Sequence, residues 1–192
     1  MTTTIYVVRH GQAEHNAAGV YGGLDDTALT KEGIVDAEVV ASKLKSIHFD
    51  TVYSSNLQRA SMTAGIIISH SGFIGKIVEI KELREIDFGN YSGRDRKLPY
   101  TDFPDEFKKK LDFVIPGGES YRQLWDRVIP FLKSILCQDG TILISCHGGP
   151  IRAIKSYFKN LPFEEHLKDK IPHKMVYKFV IEDGVCVEHE EF

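Results

Sequence analysis

The sequence predicts an α/β fold, a mostly parallel sheet with helices covering both faces. Three observations carry this. Short apolar runs rich in β-branched residues alternate with longer stretches whose apolar residues recur at helical spacing. The 192 residues suffice for one α/β unit with a full core and are too few for two ordinary domains. Apolar residues at 42% and charged residues at 27% suit a folded soluble chain, which leaves no compositional case for disorder.

The elements follow in order. Residues 5–8 form an apolar run that stops at Arg9-His10-Gly11 and reads as a buried first strand. Thr30 suits an N-cap, and behind it Ile34, Ala37, Val40, Ala41, Leu44 and Ile47 keep helical spacing. Residues 49–53 are a second strand, after which Ser54-Ser55-Asn56 offers a cap to a helix through Ala60, Ala64, Ile67 and Ile68. Residues 77–80 are a third strand. From 91 to 118 the alternation fails. Arg94, Arg96, Lys97, Tyr100, Phe103 and the lysines at 108–110 mix with prolines, as in an inserted, lid-like segment. Gly117-Gly118-Glu119-Ser120 then leads into a helix with Leu124, Val128, Phe131 and Ile135 on one face. Residues 141–146 are the strongest strand, and Gly148-Gly149-Pro150 opens a helix in which proline suits the first turn. Residues 175–181 and 185–189, joined around Asp183-Gly184, predict a closing hairpin.

Several classes of function are disfavoured. A net charge of −3 does not suit a general nucleic-acid binder, which needs a basic surface. The run at 5–8 is too short for a signal-peptide core and no run approaches membrane-spanning length, so a cytoplasmic protein without membrane contact is expected. Cys137, Cys146 and Cys186 are far apart with no CxxC spacing, which fits a reducing compartment. No HExxH or familiar metal spacing and no P-loop occurs, so neither a metal nor another cofactor is expected.

In open α/β sheets ligands bind beyond the carboxyl ends of the strands. Here those ends deliver Arg9 and His10 after the first strand, Arg59 after the second, Glu85 after the third, and His147 and Gly148 after the fourth. Taken singly, Arg59 is a solvated helix residue, His147 a structural histidine and Glu85 a surface acid. Together they describe an anion site with a titratable group beside it. Cys146 next to His147 is a weaker candidate nucleophile, since a residue ending a buried strand beside Gly-Gly more often packs.

These residues carry a resemblance. Val8-Arg9-His10-Gly11-Gln12 with Asn16, then Ser54-Ser55-Asn56-Leu57-Gln58-Arg59-Ala60, then Leu83-Arg84-Glu85-Ile86-Asp87-Phe88-Gly89, then Pro116-Gly117-Gly118-Glu119-Ser120, and last Ser145-Cys146-His147-Gly148-Gly149-Pro150-Ile151-Arg152 stand in one order. The set resembles the histidine phosphatase (phosphoglycerate mutase-like) superfamily. Asn56 stands where proline is usual, and Tyr91-Ser92 where Trp-Glu is common.

The resemblance implies a three-layer α/β/α sandwich forming a single domain over residues 1–192. It implies a phosphoric monoester hydrolase, independent of metal, that acts on a small phosphorylated substrate. His10 would be the nucleophile, Glu85 the general acid and base, and Arg9, Arg59 and His147 the phosphoryl clamp. Substrate contacts would also come from Asn16, Gly22, Gly23 and Gly148, with Gly22 where many relatives carry a polar residue. Two rivals remain at this stage: mutase-type phosphoryl transfer, and a non-catalytic phospho-ligand-binding protein. The chain has Glu85-Ile86-Asp87 where mutases usually show an Arg-His-Tyr-Gly run, and it lacks their longer mid-chain insertion. A pseudoenzyme would have lost the nucleophile or the acid, and both are present.

Overall fold

The structure, a computed structural model, describes residues 1–192 apart from Lys110 and the side chain of Lys108. The basic cluster expected at 108–110 therefore falls mostly outside the described residues. The elements run β1 (Thr2–Arg9), α1 (Glu14–Ala17), α2 (Lys31–Leu44), β2 (Thr51–Ser55), α3 (Gln58–Ser71), β3 (Val78–Ile80), α4 (Leu98–Asp102), α5 (Tyr121–Ile135), β4 (Gly140–Cys146), α6 (Gly148–Lys159), α7 (Phe163–His166), β5 (Val176–Glu182) and β6 (Val185–Glu191). The six strands form a sheet in the order β3-β2-β4-β1-β5-β6. The first four in that order are parallel, and β5 and β6 are antiparallel additions at one edge.

Strand periodicity builds the three layers. Side chains alternate faces along β1. Ile5 and Val7 join one core with Leu124 and Val128 of α5 and Ile151 of α6. Tyr6 and Val8 join the other with Val40 and Leu44 of α2 and Ile67 of α3. A strand buried on both faces must be apolar throughout, which is why residues 5–8 read as an unbroken run.

Helix ends and faces refine the sequence reading. Thr30 caps α2 as expected, its hydroxyl accepting from the Gly33 amide at 3.0 Å. The helix stops at Leu44, and Ile47 packs beyond it. Ile34 is 42% exposed because it lies on the flank of the buried stripe Gly33, Ala37, Val40, Ala41 and Leu44. The cap expected of Ser54-Ser55-Asn56 is only partly delivered. Ser55 Oγ accepts from the Leu57 amide at 3.3 Å, whereas Asn56 Oδ1 is taken by Arg84 at 2.7 Å. The Gln58 amide is instead capped by Asp26 Oδ1 at 2.6 Å, a partner from another loop. In α5, Ser120 and Gln123 cap reciprocally at 3.2 and 2.8 Å. Its inner face uses Ile129 and Leu132, while Phe131 is half-buried edge-on to Tyr53 at 5.3 Å. The closing hairpin forms as predicted, turning at Asp183 (φ 48°) and Gly184 (φ 82°).

The segment from 91 to 118 is anchored on one side and open on the other. Tyr91, Phe107, Leu111 and Ile115 are buried in the core that holds Ile5 and Val7. Arg96 and Tyr100 are exposed and line the main cavity, so the insertion is lid-like with a packed underside.

Candidate active site

Register places the site. β1 and β4 pair Val8 with Ser145 and Arg9 with Cys146, and β2 brings Ser54 opposite Ser145. Three parallel strands therefore end level, and the residues that follow them meet at one edge. The backbone can cross here because Gly11 and Gly33 touch: a Cβ on Gly11 would stand 2.0 Å from the Gly33 carbonyl oxygen.

His10 is 2% exposed. Its Nδ1 lies 2.7 Å from the Gly11 carbonyl oxygen, which only accepts, so Nδ1 carries the ring proton and Nε2 is bare. Burial, and then the charges of Arg9 and Arg59, hold the ring well below the usual histidine range and keep it neutral. The His147 ring stands 4.9 Å from that of His10, between centroids. It is fully buried and is not part of the cavity wall. Its Nε2 is 2.9 Å from Ser55 Oγ, while Nδ1 has no partner among the described residues. Burial, then Arg59 and His10, push this ring down as well.

Both guanidinium groups are held by carbonyls rather than carboxylates. Arg9 Nη1 donates to the Ile171 carbonyl at 2.6 Å, and its buried Nε has no partner among the described residues. Arg59, 3% exposed, donates to the carbonyls of Asp25 at 2.6 Å and Gly23 at 2.7 Å. Burial lowers Arg9 to about 10, with Glu85 opposing, so it stays charged at neutral pH. Neutral acceptors fix the forks without a direct ion pair among the described residues, so the two guanidinium charges outweigh Glu85 opposite them, which is what an anion site requires.

Glu85 faces this pair from the segment after β3. Its Oε1 accepts from the amides of Gly149 at 2.9 Å and Ile86 at 3.0 Å, leaving Oε2 without an amide partner. A side chain at Gly149 would put a Cβ 2.5 Å from that Oε1, so glycine makes the contact possible. Arg9, His10, Asn16, Gly22, Gly23, Arg59, Glu85 and Gly148 all line one cavity of about 480 Å³. Asn16 Oδ1 accepts from the Ala13 amide at 3.0 Å, so its amide nitrogen is the group left to donate. Gly23, at φ 48°, contributes mainly the carbonyl that orients Arg59. Cys146 is buried and its thiol is pushed up by burial, so it is held as the thiol.

A sequence profile of the histidine phosphatase superfamily (branch 1) matches residues 5–190. The chain belongs to that superfamily. A protein of Brucella melitensis named 2,3-bisphosphoglycerate-dependent phosphoglycerate mutase is 30% identical over 182 residues, covering 89% of this chain and 88% of its own. Among solved structures, Bacillus stearothermophilus YhfR superposes with a TM-score of 0.86 at 25% identity, covering 96% of this chain and 94% of its own. The alpha-ribazole phosphatase from Shigella flexneri shares the fold at a TM-score of 0.84 and 24% identity, over 95% and 93% of the two chains.

Several residues of this superfamily member act on the site without having been legible in the sequence. His173 Nδ1 donates to the His10 carbonyl at 2.6 Å, although the two are 163 positions apart. Thr63, which with Ala64 belongs to the second segment of the resemblance, had no role assigned to it from sequence. Its Oγ1 accepts from the Gly11 amide at 3.1 Å and donates to the Arg59 carbonyl at 2.8 Å. Arg127 donates to the carbonyls of Glu82, Arg84 and Glu85 at 2.6, 2.9 and 3.0 Å, and is gripped by Glu119 at 2.5 Å. The Pro116–Ser120 landmark signalled Glu119 but not its partner. Among the described residues no group of three or more His, Cys, Asp or Glu side chains is placed to hold a metal. No helix among them is long and apolar enough to cross a membrane.

Proposed function

We propose that the chain is a metal-independent phosphatase that hydrolyses phosphate monoesters of small metabolites through a phosphohistidine on His10. The observation that carries this reading is the 2.7 Å contact of His10 Nδ1 with the Gly11 carbonyl, which assigns the proton to Nδ1 and leaves a neutral Nε2 beside two guanidinium groups. Nε2 attacks phosphorus while the bond to the alcohol oxygen breaks, and Glu85 gives that oxygen its proton. Water then attacks the phosphohistidine, Glu85 takes a proton from it, and inorganic phosphate leaves with His10 restored. Arg9 and Arg59 neutralise the phosphoryl oxygens throughout. Ser55 Oγ accepts from the Leu57 amide and, in this reading, gives its own hydrogen to His147 Nε2 at 2.9 Å. That leaves Nδ1–H of His147, buried behind the cavity wall beside His10 and unpartnered among the described residues, as the further donor a bound phosphoryl group would meet. Asn16 and Gly148 complete the cradle.

The name of the Brucella relative favours a second reading, phosphoryl transfer of the mutase kind. A mutase must exclude water while its phosphohistidine waits. The rim here is open to water, since Arg96 is exposed and Tyr100 is 50% exposed. Purified protein should release phosphate from p-nitrophenyl phosphate, and should do so unchanged in EDTA. Given 3-phosphoglycerate and a bisphosphoglycerate primer, it should release inorganic phosphate with little 2-phosphoglycerate. Interconversion without phosphate release would make the mutase reading correct, and loss of activity in EDTA restored by one metal would overturn metal independence.

A further inference from the structure

Asp36 is a buried carboxylate outside the cavity wall. It is 4% exposed, on the face of α2 where Thr30, Gly33 and Asp36 recur every three residues. That face receives the loop that carries the nucleophile. The Thr30 amide donates to the Gln12 carbonyl at 2.9 Å, and a Cβ on Gly33 would stand 1.9 Å from the same oxygen, so glycine lets the loop lie against the helix. One turn on, Asp36 Oδ2 accepts from the Gln12 amide at 3.1 Å. Asp36 Oδ1 lies 3.1 Å from Nζ of Lys174, whose side chain is half-exposed. A pairing with a surface lysine does not by itself account for a carboxylate under this loop. Carboxylates are costly to bury, and an apolar residue here would extend the stripe of Ala37, Val40, Ala41 and Leu44.

The Gln12 amide hydrogen and the Gly11 carbonyl oxygen belong to one trans peptide unit, in which they point in opposite directions. On its far side that carbonyl accepts from His10 Nδ1 at 2.7 Å. A continuous chain therefore runs from the Asp36 carboxylate, through the Gln12 N–H and the Gly11 C=O, to the His10 ring. The preceding peptide is gripped as well, since the Gly11 amide donates to Thr63 and the His10 carbonyl accepts from His173. Hydrogen bonds in series polarise one another, and an ionised acceptor at one end strengthens the effect. We infer that Asp36 is a positioning residue for the nucleophile: through the Gly11–Gln12 peptide its carboxylate orients and polarises the carbonyl that holds the His10 Nδ1 proton. The ring is thereby kept in one tautomer and orientation, with Nε2 electron-rich. No proton moves along the chain, because the peptide transmits only charge and orientation. The effect on phosphoryl transfer rests on the phosphohistidine reading, whereas the effect on the ring does not.

The test compares Asp36→Asn, which keeps an acceptor and loses the charge, with Asp36→Ala, which loses both. Glu38→Gln, at an exposed carboxylate on the same helix, is the control. In protein with isotope-labelled histidine, the Nδ1–H resonance of His10 is assigned by its loss from His10→Ala. It should move upfield in Asp36→Asn, move further or vanish by exchange with water in Asp36→Ala, and stay in place in Glu38→Gln. Single-turnover release of p-nitrophenolate, with enzyme in excess, reads the attack by His10. It should slow about tenfold or more in Asp36→Ala and by less in Asp36→Asn. Affinity for inorganic phosphate, which Arg9 and Arg59 supply, should change less than about threefold. A resonance unmoved in both variants, or equal losses of rate and of phosphate affinity, would overturn the inference. Wild-type rate and resonance in Asp36→Asn would overturn it too, since the carboxylate charge would then have no part. Asp36→Asn is close in shape to the native side chain and carries the test if Asp36→Ala does not fold. If the wild-type protein does not turn over p-nitrophenyl phosphate, the phosphatase reading fails and the resonance alone decides whether Asp36 acts on His10.

Discussion

The two ends of the cavity are built on opposite plans. At the inner end His10, Arg59 and His147 are buried, and backbone carbonyls or a hydroxyl hold His10, Arg9, Arg59 and His147. At the outer end Arg96 and Lys168 are exposed, on the insertion and on the turn after α7. A site that stabilises transition-state charge works best when its dipoles are fixed before the substrate arrives. Selection among substrates needs only complementary charge at a distance. The difference implies that inner substitutions reduce the rate for every substrate, and outer ones alter which substrate is preferred.

Predictions that break or sharpen this contrast can be ranked by size. His10→Ala should reduce turnover at least about 10⁴-fold for every substrate while circular dichroism shows an intact fold. Retained activity in a folded variant removes the nucleophile. Arg59→Ala should cost about 100-fold or more, against near wild-type rates for Gln58→Ala one position away. Arg59→Lys should fall between, since it keeps the charge and loses the fork, and its rate guards against misfolding of the alanine variant. Equal rates for Arg59→Ala and Gln58→Ala would place Arg59 outside the chemistry.

Glu85→Gln should act selectively. Alkyl phosphates, whose leaving groups need a proton, should slow about tenfold or more beyond any change in the phosphorylation of the enzyme by p-nitrophenyl phosphate. Equal losses on both substrates, with phosphorylation rate-limiting, would remove Glu85 as the acid.

The smallest effect is on stability. Burial and then Arg9 lower His173 from 6.5 to about 4, and His10 and His147 shift the same way. Folded-state values below the unfolded ones mean that the unfolded chain binds more protons between them. The contribution of these rings is therefore complete above about 6.5 and is lost as pH falls toward 4. Urea midpoints should drop over this window, and His173→Gln should flatten part of the slope. A slope unchanged in that variant would show that His173 does not titrate with unfolding.

What the sequence revealed and hid follows from the range of the interactions. Residues 5–8 and 141–146 were legible because strands buried on both faces must be apolar throughout. Arg9, His10, His147 and Gly148 were legible because they sit one or two positions past those runs, whereas Arg59 and Glu85, four and five positions past Ser55 and Ile80, were legible through the motifs around them. Cross-chain contacts left no local trace. Asp26 capping α3, His173 holding the His10 carbonyl and Arg127 binding three carbonyls of the acid segment depend on the finished fold. The insertion was opaque for a related reason. Phe107, Leu111 and Ile115 anchor it at a helix-like spacing of four, yet among the described residues only a short 3-10 turn at Phe107–Lys109 forms there, so the period in that stretch does not report its structure.

The most direct test of the account is to trap the covalent intermediate. The enzyme would be mixed with p-nitrophenyl phosphate carrying labelled phosphate, whose leaving group needs no proton, quenched within one turnover in alkaline denaturant that preserves phosphohistidine, digested, and the label mapped by mass spectrometry. The account predicts label on His10, present in wild type, enriched in Glu85→Gln as the hydrolytic step slows, and absent from His10→Ala. Phosphate released at full rate with no label on the protein, or label on any residue other than His10, would contradict it.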